Sequence, residues 1–317
     1  MAALPDELNE RIRAFQESRV ILTALELDLF TAIGDGARAP EVAATLGARP
    51  RATEMLLNAL AALRLLDKRE GVFYNSPEAA RYFAAGSPDN ARPALLHTAH
   101  LWQTWSILTA SVRPGAETAG NWTEAFIAAM HRNASERAPL VVRAVGAQNV
   151  HRMLDVGGGS GAYSIAFAQT NPALRADILD LATVQPITNR HIQEAGVADR
   201  VHVRAGDLRS DRLGEGYDLV FLSAICHMLD EAENLDLLRR CREALASGGR
   251  VVIQDFILEP DKTAPRFAAL FALNMLVGTP GGSAYSEPEY AAWLAEAGFQ
   301  QVHHVRLPGP TGLMIAS

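Results

Sequence analysis

Several short stretches of this chain carry side chains able to do chemistry together. The densest is Leu154-Asp155-Val156-Gly157-Gly158-Gly159-Ser160-Gly161, where an apolar run of strand character meets a glycine-rich turn that opens a helical pattern. Glycine permits positive φ and lets a ligand approach the backbone, so Gly157 and Gly159 are candidate binding positions. The helix N-terminus beyond them adds unsatisfied N–H groups. Asp155 enters the turn and can hold an ammonium group through ordered water. Asp180, followed by Leu181, ends the next strand-like run, where a carboxylate can accept hydrogen bonds from both hydroxyls of a ribose. Gly206-Asp207-Leu208 ends the third, placed to take an adenine ring against Leu208 with a carboxylate near its amino group. His227 lies just past the fourth run, and Asp255 ends the fifth.

In open α/β sheets ligands bind outside the carboxyl ends of the strands, so His227 and Asp255 can face one pocket. Acidic residues at successive strand ends favour S-adenosylmethionine, with S-adenosylhomocysteine as its product. Gly157, Gly159 and Ala162 also satisfy the dinucleotide pattern G-x-G-x-x-A, which keeps a nicotinamide cofactor as a second reading. Methyl transfer from a sulfonium is an in-line displacement that needs a nucleophilic oxygen. A phenol with a pKa of about 10 is mostly protonated at neutral pH. An imidazole with a pKa of about 6.5 can take that proton as the new bond forms. A carboxylate on the other ring nitrogen fixes the tautomer and stabilises the imidazolium, and Asp255 is the candidate.

The elements that must position these residues fall into two patterns. Apolar positions at helical spacing predict helices over Ala14–Ile33, Ala39–Leu46 and Arg51–Leu66, followed by a strand pair, Leu66–Arg69 and Val72–Asn75. That is the order of a winged helix. Helical patterning continues over Arg92–Gln148, broken at Pro114–Gly115 and Gly120. From Arg152 strand-length runs alternate with helical stretches: Arg152–Val156, Arg175–Leu179, Val201–Ala205, Tyr217–Leu222 and Gly249–Asp255. The segments between them are long enough for crossover helices, so the sheet is parallel. A helix over Glu287–Ala297 and a hairpin of Gln301–Leu307 with Gly312–Ala316 close the chain. The expected fold is α/β, a Rossmann-like class I methyltransferase domain with a mostly parallel seven-stranded sheet, preceded by a mainly helical winged-helix domain. The expected division is 1–100 and 101–317, with a helical lead-in to about 150 and the core over 151–317.

Composition excludes several classes. Lys plus Arg is 29 against 36 Asp plus Glu, a net charge of −7, the wrong balance for a nucleic-acid or anionic-membrane binder. The Arg51–Leu66 stretch, the would-be recognition helix, is dominated by Leu, Ala and Met. Its basic residues Arg51, Arg64, Lys68 and Arg69 are offset by Glu54, Asp67 and Glu70, so a homodimer interface is expected over a DNA reader or a ligand-sensing regulator. The longest apolar stretch, Phe267–Gly278, contains Asn274 and falls short of the roughly 20 residues a membrane span needs. Asp6, Glu7, Glu10, Arg11 and Arg13 interrupt any early apolar run, which points to a cytoplasmic protein. Cys226 and Cys241 cannot build a disulfide framework, and the nine histidines show no H-x-x-x-H or H-E-x-x-H spacing, so no metal is expected. Cys226, read as a strand neighbour of His227, would point to the opposite face as a small buried hydrophobe. His303 and His304 are expected at an edge or facing solvent, away from acidic groups.

The chain resembles the small-molecule O-methyltransferases that depend on S-adenosylmethionine, both plant-type and bacterial, over nearly its whole length. The likeness rests on Leu154–Gly161, Gly206–Leu208, Ile225-Cys226-His227 with Asp230-Glu231 and the helix Leu235–Leu245, and Thr279-Pro280-Gly281-Gly282 ahead of Tyr290–Phe299. It implies an N-terminal dimerisation domain and His227 as the general base. The position of Asp255 usually carries Glu in that family. Phe126 and Met130 match positions that touch the methyl end of the cofactor and the acceptor, and Asn274 and Met275 match pocket walls. An apolar, Met-lined pocket suits a flat aromatic or polyketide-like acceptor. Three departures stand out: Met228-Leu229 replaces Asp-Trp after the histidine, Ser223 stands where a cation is common, and Ser283-Ala284 replaces a second acid. They leave N- or C-methylation, or non-methylating chemistry on the same scaffold, as alternatives.

Overall fold

The computed structural model describes residues 5–113 and 122–317. The chain divides into two compact units. One comprises 2–120 with 258–278, and the other 121–257 with 279–317. A linear division of the sequence does not register that a later helix returns to the first unit.

The first unit opens with α1, Asp6–Glu26, and α2, Leu29–Ile33. The single helix expected over Ala14–Ile33 is interrupted because Asp28 takes the left-handed conformation, φ 57°. A short polar side chain tolerates that region, and the Asp28 carboxylate accepts the Thr31 hydroxyl at 2.7 Å. Then come β1, Ala37–Arg38, α3, Ala39–Leu46, and α4, Pro50–Ala62. The helix expected over Arg51–Leu66 ends earlier, at Ala62, because the chain turns at Arg64, φ 62°. Strands β2, Leu66–Arg69, and β3, Val72–Asn75, form the wing, and β1 adds a third antiparallel strand in the order β1-β3-β2. Helices α5, Pro77–Phe83, α6, Arg92–Ser106, and α7, Leu108–Val112, follow. Leu25, Leu29, Phe30, Leu57, Leu60 and Phe73 form the buried centre of this unit.

The second unit begins with α8, Trp122–Val145. Strand β4, Arg152–Val156, leads to α9, Ala162–Thr170, then β5, Arg175–Asp180, α10, Gln185–Glu194, and β6, Val201–Ala205. No helix lies between β6 and β7, Tyr217–Ser223, which corrects the expectation of a crossover helix in every interval. Arg204 and Arg240 tie that connection down by donating to the carbonyls of Arg212, Leu213 and Leu208. Next come α11, Glu231–Ala244, and β8, Leu245–Asp255. Helix α12, Arg266–Gly278, belongs to the first unit and packs against α4 there. Helix α13, Glu287–Glu296, β9, His303–Arg306, and β10, Gly312–Ala316, complete the second unit.

Its seven strands run in the order β6-β5-β4-β7-β8-β10-β9. The first four neighbouring pairs are parallel and the two pairs made by β10 are antiparallel. The strand order reverses direction at β4, so the crevice at its carboxyl end is the topological switch point where ligands bind in such sheets. Strand alternation sends Leu154, Val220, Leu222 and Ile253 to the face covered by α11 and α13. Met153, Phe221, Val252 and Leu313 go to the face covered by α8 and α9. Asp255 therefore follows Ile253 toward α13, and Asp155 follows Met153 toward α9. His303 and His304 lie on the edge strand β9 as expected, but His304 is not away from acidic groups: its Nδ1 lies 2.6 Å from the Glu287 carboxylate. No described helix is long and apolar enough to cross a membrane.

Candidate active site

The glycine turn after β4 is shaped from both sides. Gly157 has φ 68° and Gly159 φ 57°. A Cβ on Gly157 would run into the Ile225 side chain, whereas one on Gly159 would point into open space. Gly157 thus lets the turn close against the chain after β7, and the space beside Gly159 stays open. The Asp180 carboxylate clamps the turn to the end of β5, accepting the Gly159 amide on Oδ2 and the Leu181 amide on Oδ1, each at 2.7 Å. Burial pushes this carboxyl up, opposed by those two amides. Leu181 itself is 53% exposed, an apolar side chain left at the rim.

Asp155 is buried beneath the turn, where Oδ2 accepts the Ser164 hydroxyl at 2.7 Å. Its Oδ1 is buried with no hydrogen-bond partner among the described residues. Burial pushes the Asp155 carboxyl up to about 7, opposed by Ser164. An orphaned carboxylate oxygen under an open glycine turn fits an ammonium group reached directly or through water. The second lone pairs on the Asp180 oxygens fit the hydroxyls of a ribose. The donor and acceptor set of S-adenosylmethionine therefore matches these residues. Gly206 donates its amide to the Asp180 carbonyl, and Leu208 lies against the same core as Ile225. Asp207 is partly committed, since its Oδ1 accepts the Arg209 amide at 2.8 Å. Ser223 donates to the Gln254 side chain at 2.7 Å, in a polar layer where Gln254 and Arg137 both donate to the Thr311 hydroxyl. Arg137, from α8, is the cation of that layer, and nothing in its sequence surroundings marks it.

His227 does not sit on a strand. After Ser223 the chain turns at Ala224, φ 57°, into a short 3-10 turn over Cys226–Met228. Cys226 and His227 are both buried there, so alternation does not separate them; Cys226 remains a packed thiol that burial holds well above its usual range. Three neighbours fix the turn. Asn234 donates to the carbonyls of Cys226, Leu229 and Asp230. Ser283 donates its amide to the His227 carbonyl at 2.9 Å. Tyr285 donates its hydroxyl to the Leu229 carbonyl. A Cβ on Gly282 would strike the His227 carbonyl, which is why the Thr279–Gly282 segment can lie so close. Asp230 and Glu233 form a reciprocal capping box that starts α11 directly after the turn.

Asp255 meets His227 at the end of β8. Its Oδ1 lies 2.7 Å from His227 Nδ1 and also accepts the Phe256 amide at 2.8 Å. Its Oδ2 accepts the His227 amide and the Tyr290 hydroxyl, each at 3.1 Å. His227 is 6% exposed and Asp255 1%. The carboxylate selects the tautomer with hydrogen on Nδ1, which leaves the ring's lone pair on Nε2. Neutral imidazole held in one orientation by a buried carboxylate is a general-base arrangement. Tyr290 and Asn234 escape sequence reasoning, since each reads as an ordinary helix position.

The expected acceptor-wall residues are divided between the two units. Met130 is partly buried on α8, and the Phe126 side chain lies outside the described residues. Asn274 and Met275 belong to α12 in the other unit, the first exposed and the second buried. Among the described residues no cluster of His, Cys, Asp and Glu could hold a metal ion.

Known proteins match this architecture. The O-methyltransferase domain family matches residues 114–300, and the O-methyltransferase dimerisation domain family matches 9–86. The chain is 35% identical to the 3-hydroxy-5-methyl-1-naphthoate 3-O-methyltransferase of Streptomyces sahachiroi, covering 98% of this chain and 94% of that one. It is 31% identical to the acetylserotonin O-methyltransferase of Bos taurus, covering 98% and 96%. Among solved structures, an O-methyltransferase family 2 protein from Planctomyces limnophilus in complex with apigenin superposes with a TM-score of 0.84 at 25% identity, covering 100% of this chain and 97% of that chain. By fold, by glycine turn and by both matched regions, the chain belongs to the S-adenosylmethionine-dependent O-methyltransferase family that joins a dimerisation domain to its methyltransferase domain.

Proposed function

We propose that this enzyme methylates a phenolic hydroxyl of a small aromatic or polyketide-like acceptor, with His227 as general base and Asp255 as its orienting carboxylate. The observation that carries the reading is the buried 2.7 Å contact between His227 Nδ1 and Asp255 Oδ1 at the switch-point end of the sheet. When bound, S-adenosylmethionine supplies an electrophilic methyl group on a sulfonium. Asp155, Gly157, Gly159, Asp180, Leu181, Gly206, Asp207, Leu208 and Ser223 form the set proposed to hold it. His227 Nε2 accepts the phenolic proton as the oxygen attacks, and Asp255 stabilises the imidazolium that forms. Burial of both groups strengthens that pairing by excluding water. Phe126 and Met130 are proposed to line the acceptor pocket. Residues 9–86, the matched dimerisation region, are proposed to join two copies of the chain.

The aromatic acceptor is supported by relatives named for a hydroxynaphthoate and for acetylserotonin, and by a similar structure in complex with apigenin. The test is label transfer. Incubated with methyl-labelled S-adenosylmethionine and a panel of hydroxynaphthoates and hydroxyflavones, the enzyme is expected to give a labelled methyl ether, assigned by NMR. Label appearing only on carbon or nitrogen, or on no phenol despite cofactor binding, would overturn the proposal.

A further inference from the structure

Asp255 collects donors from more than one element. Two of its four are the His227 ring and amide on the turn after β7, and a third is the amide of its chain neighbour Phe256. The fourth is the Tyr290 hydroxyl, carried in by α13 to Oδ2 at 3.1 Å. Tyr290 is 0% exposed, and its ring packs edge-on against Tyr285 and Trp293. Phenylalanine would fill that space equally well. A buried hydroxyl is unfavourable unless it is bonded, and here its bond goes to the carboxylate that orients the base. Burial and the Asp255 charge push the Tyr290 phenol well above its usual value, so it stays protonated and donates.

We infer that Tyr290 is a positioning residue for the proton transfer: through Asp255 Oδ2 its hydroxyl sets how strongly the carboxylate holds the His227 ring. This rests on His227 being the base. A carboxylate that shares its charge among more donors binds each of them less tightly. Without the Tyr290 hydroxyl, charge shifts toward His227, the imidazolium is stabilised, and the base gives up its proton less readily. Oδ2 also loses an anchor, so the ring is held less firmly. The other titratable groups around this centre are Cys226, Cys241 behind it, and Tyr285 ahead of α13. Burial raises both thiols, so they stay neutral and add no competing charge.

The test is Tyr290→Phe, which keeps the ring packing. The acid limb of the kcat/KM profile is expected to move up by about half a pH unit or more. Plateau kcat should fall several-fold while cofactor affinity stays unchanged in calorimetry. In an Asp255→Asn background the same substitution should leave the profile where it was. An acid limb that does not move, or an equal loss in both backgrounds, would reduce Tyr290 to packing and overturn the inference. Incorporating 3-fluorotyrosine at 290, a stronger donor of nearly the same shape, gives a second reading: the limb should move down. If His227→Ala turns over normally, the base assignment itself fails, an outcome the Tyr290 variants do not mimic.

Discussion

Asp155 shows how a single buried carboxyl makes this site sensitive to pH. Burial disfavours the charge and pushes this carboxyl from the ordinary carboxylate range up to about 7 in the folded chain. The folded chain then holds this proton more tightly than the unfolded chain. Stability contributed by Asp155 is present below the unfolded value and is lost as pH rises toward the folded one. Asp155→Asn retains an acceptor for Ser164 and removes that slope. Its melting temperature relative to the parent should therefore rise between about pH 5 and about pH 7.5, as read by thermal denaturation without ligand. A constant difference across that range would contradict the assignment. The places of Asp155, Asp180 and Asp255 on strand ends, and of His227 just past one, were legible in the sequence because apolar runs mark where the strands of a parallel sheet stop. Asp207 and Ser223 were legible as positions but not as bonding states, since Arg209 and Gln254 already engage them. Tyr290 was not legible: Asp255 lies 35 positions away, and no local pattern says which buried tyrosine points at which carboxylate.

The elements follow the same division between pattern and packing. Strands β4 and β10 match their apolar runs to the residue, because they lie inside the sheet and are buried over nearly their whole length. Edge strand β6 matches as well, through the alternation of Val201 and Val203 with polar neighbours. Strand β8 begins at Leu245, ahead of the expected Gly249, since the turn-like Ala246–Gly249 stretch stays in the ladder through an irregular register opposite Tyr217–Leu219. Bulges of this kind carry little composition signal. The break at Asp28 and the missing helix between β6 and β7 have a common cause. Backbone in each is fixed by side-chain hydrogen bonds, Asp28 to Thr31 in one and Arg204 and Arg240 to carbonyls in the other, and periodicity does not report such bonds. The turn bearing His227 is the same case, held by Asn234, Ser283 and Tyr285.

At the scale of the whole molecule, the first unit carries apolar side chains with no cover of their own. Leu8, Ile12 and Phe15 are exposed at helical spacing on one face of α1, and Trp105, Ile107 and Leu108 are exposed near the α6–α7 junction. Together with the matched dimerisation region, they predict a homodimer, and light scattering should return twice the 34.2 kDa chain mass. A stable monomer at micromolar concentration would contradict that. The reaction assigned to the molecule depends most on one atom, Nε2 of His227. His227→Ala, assayed on an acceptor the parent enzyme methylates, measures its contribution directly. The account predicts a fall in kcat of roughly 10²–10⁴-fold, the range of a positioned general base. S-adenosylhomocysteine affinity should stay within about twofold, because this residue acts on the acceptor hydroxyl and not on the cofactor. Near-parental turnover by His227→Ala would contradict the account, leaving positioning alone to drive the transfer.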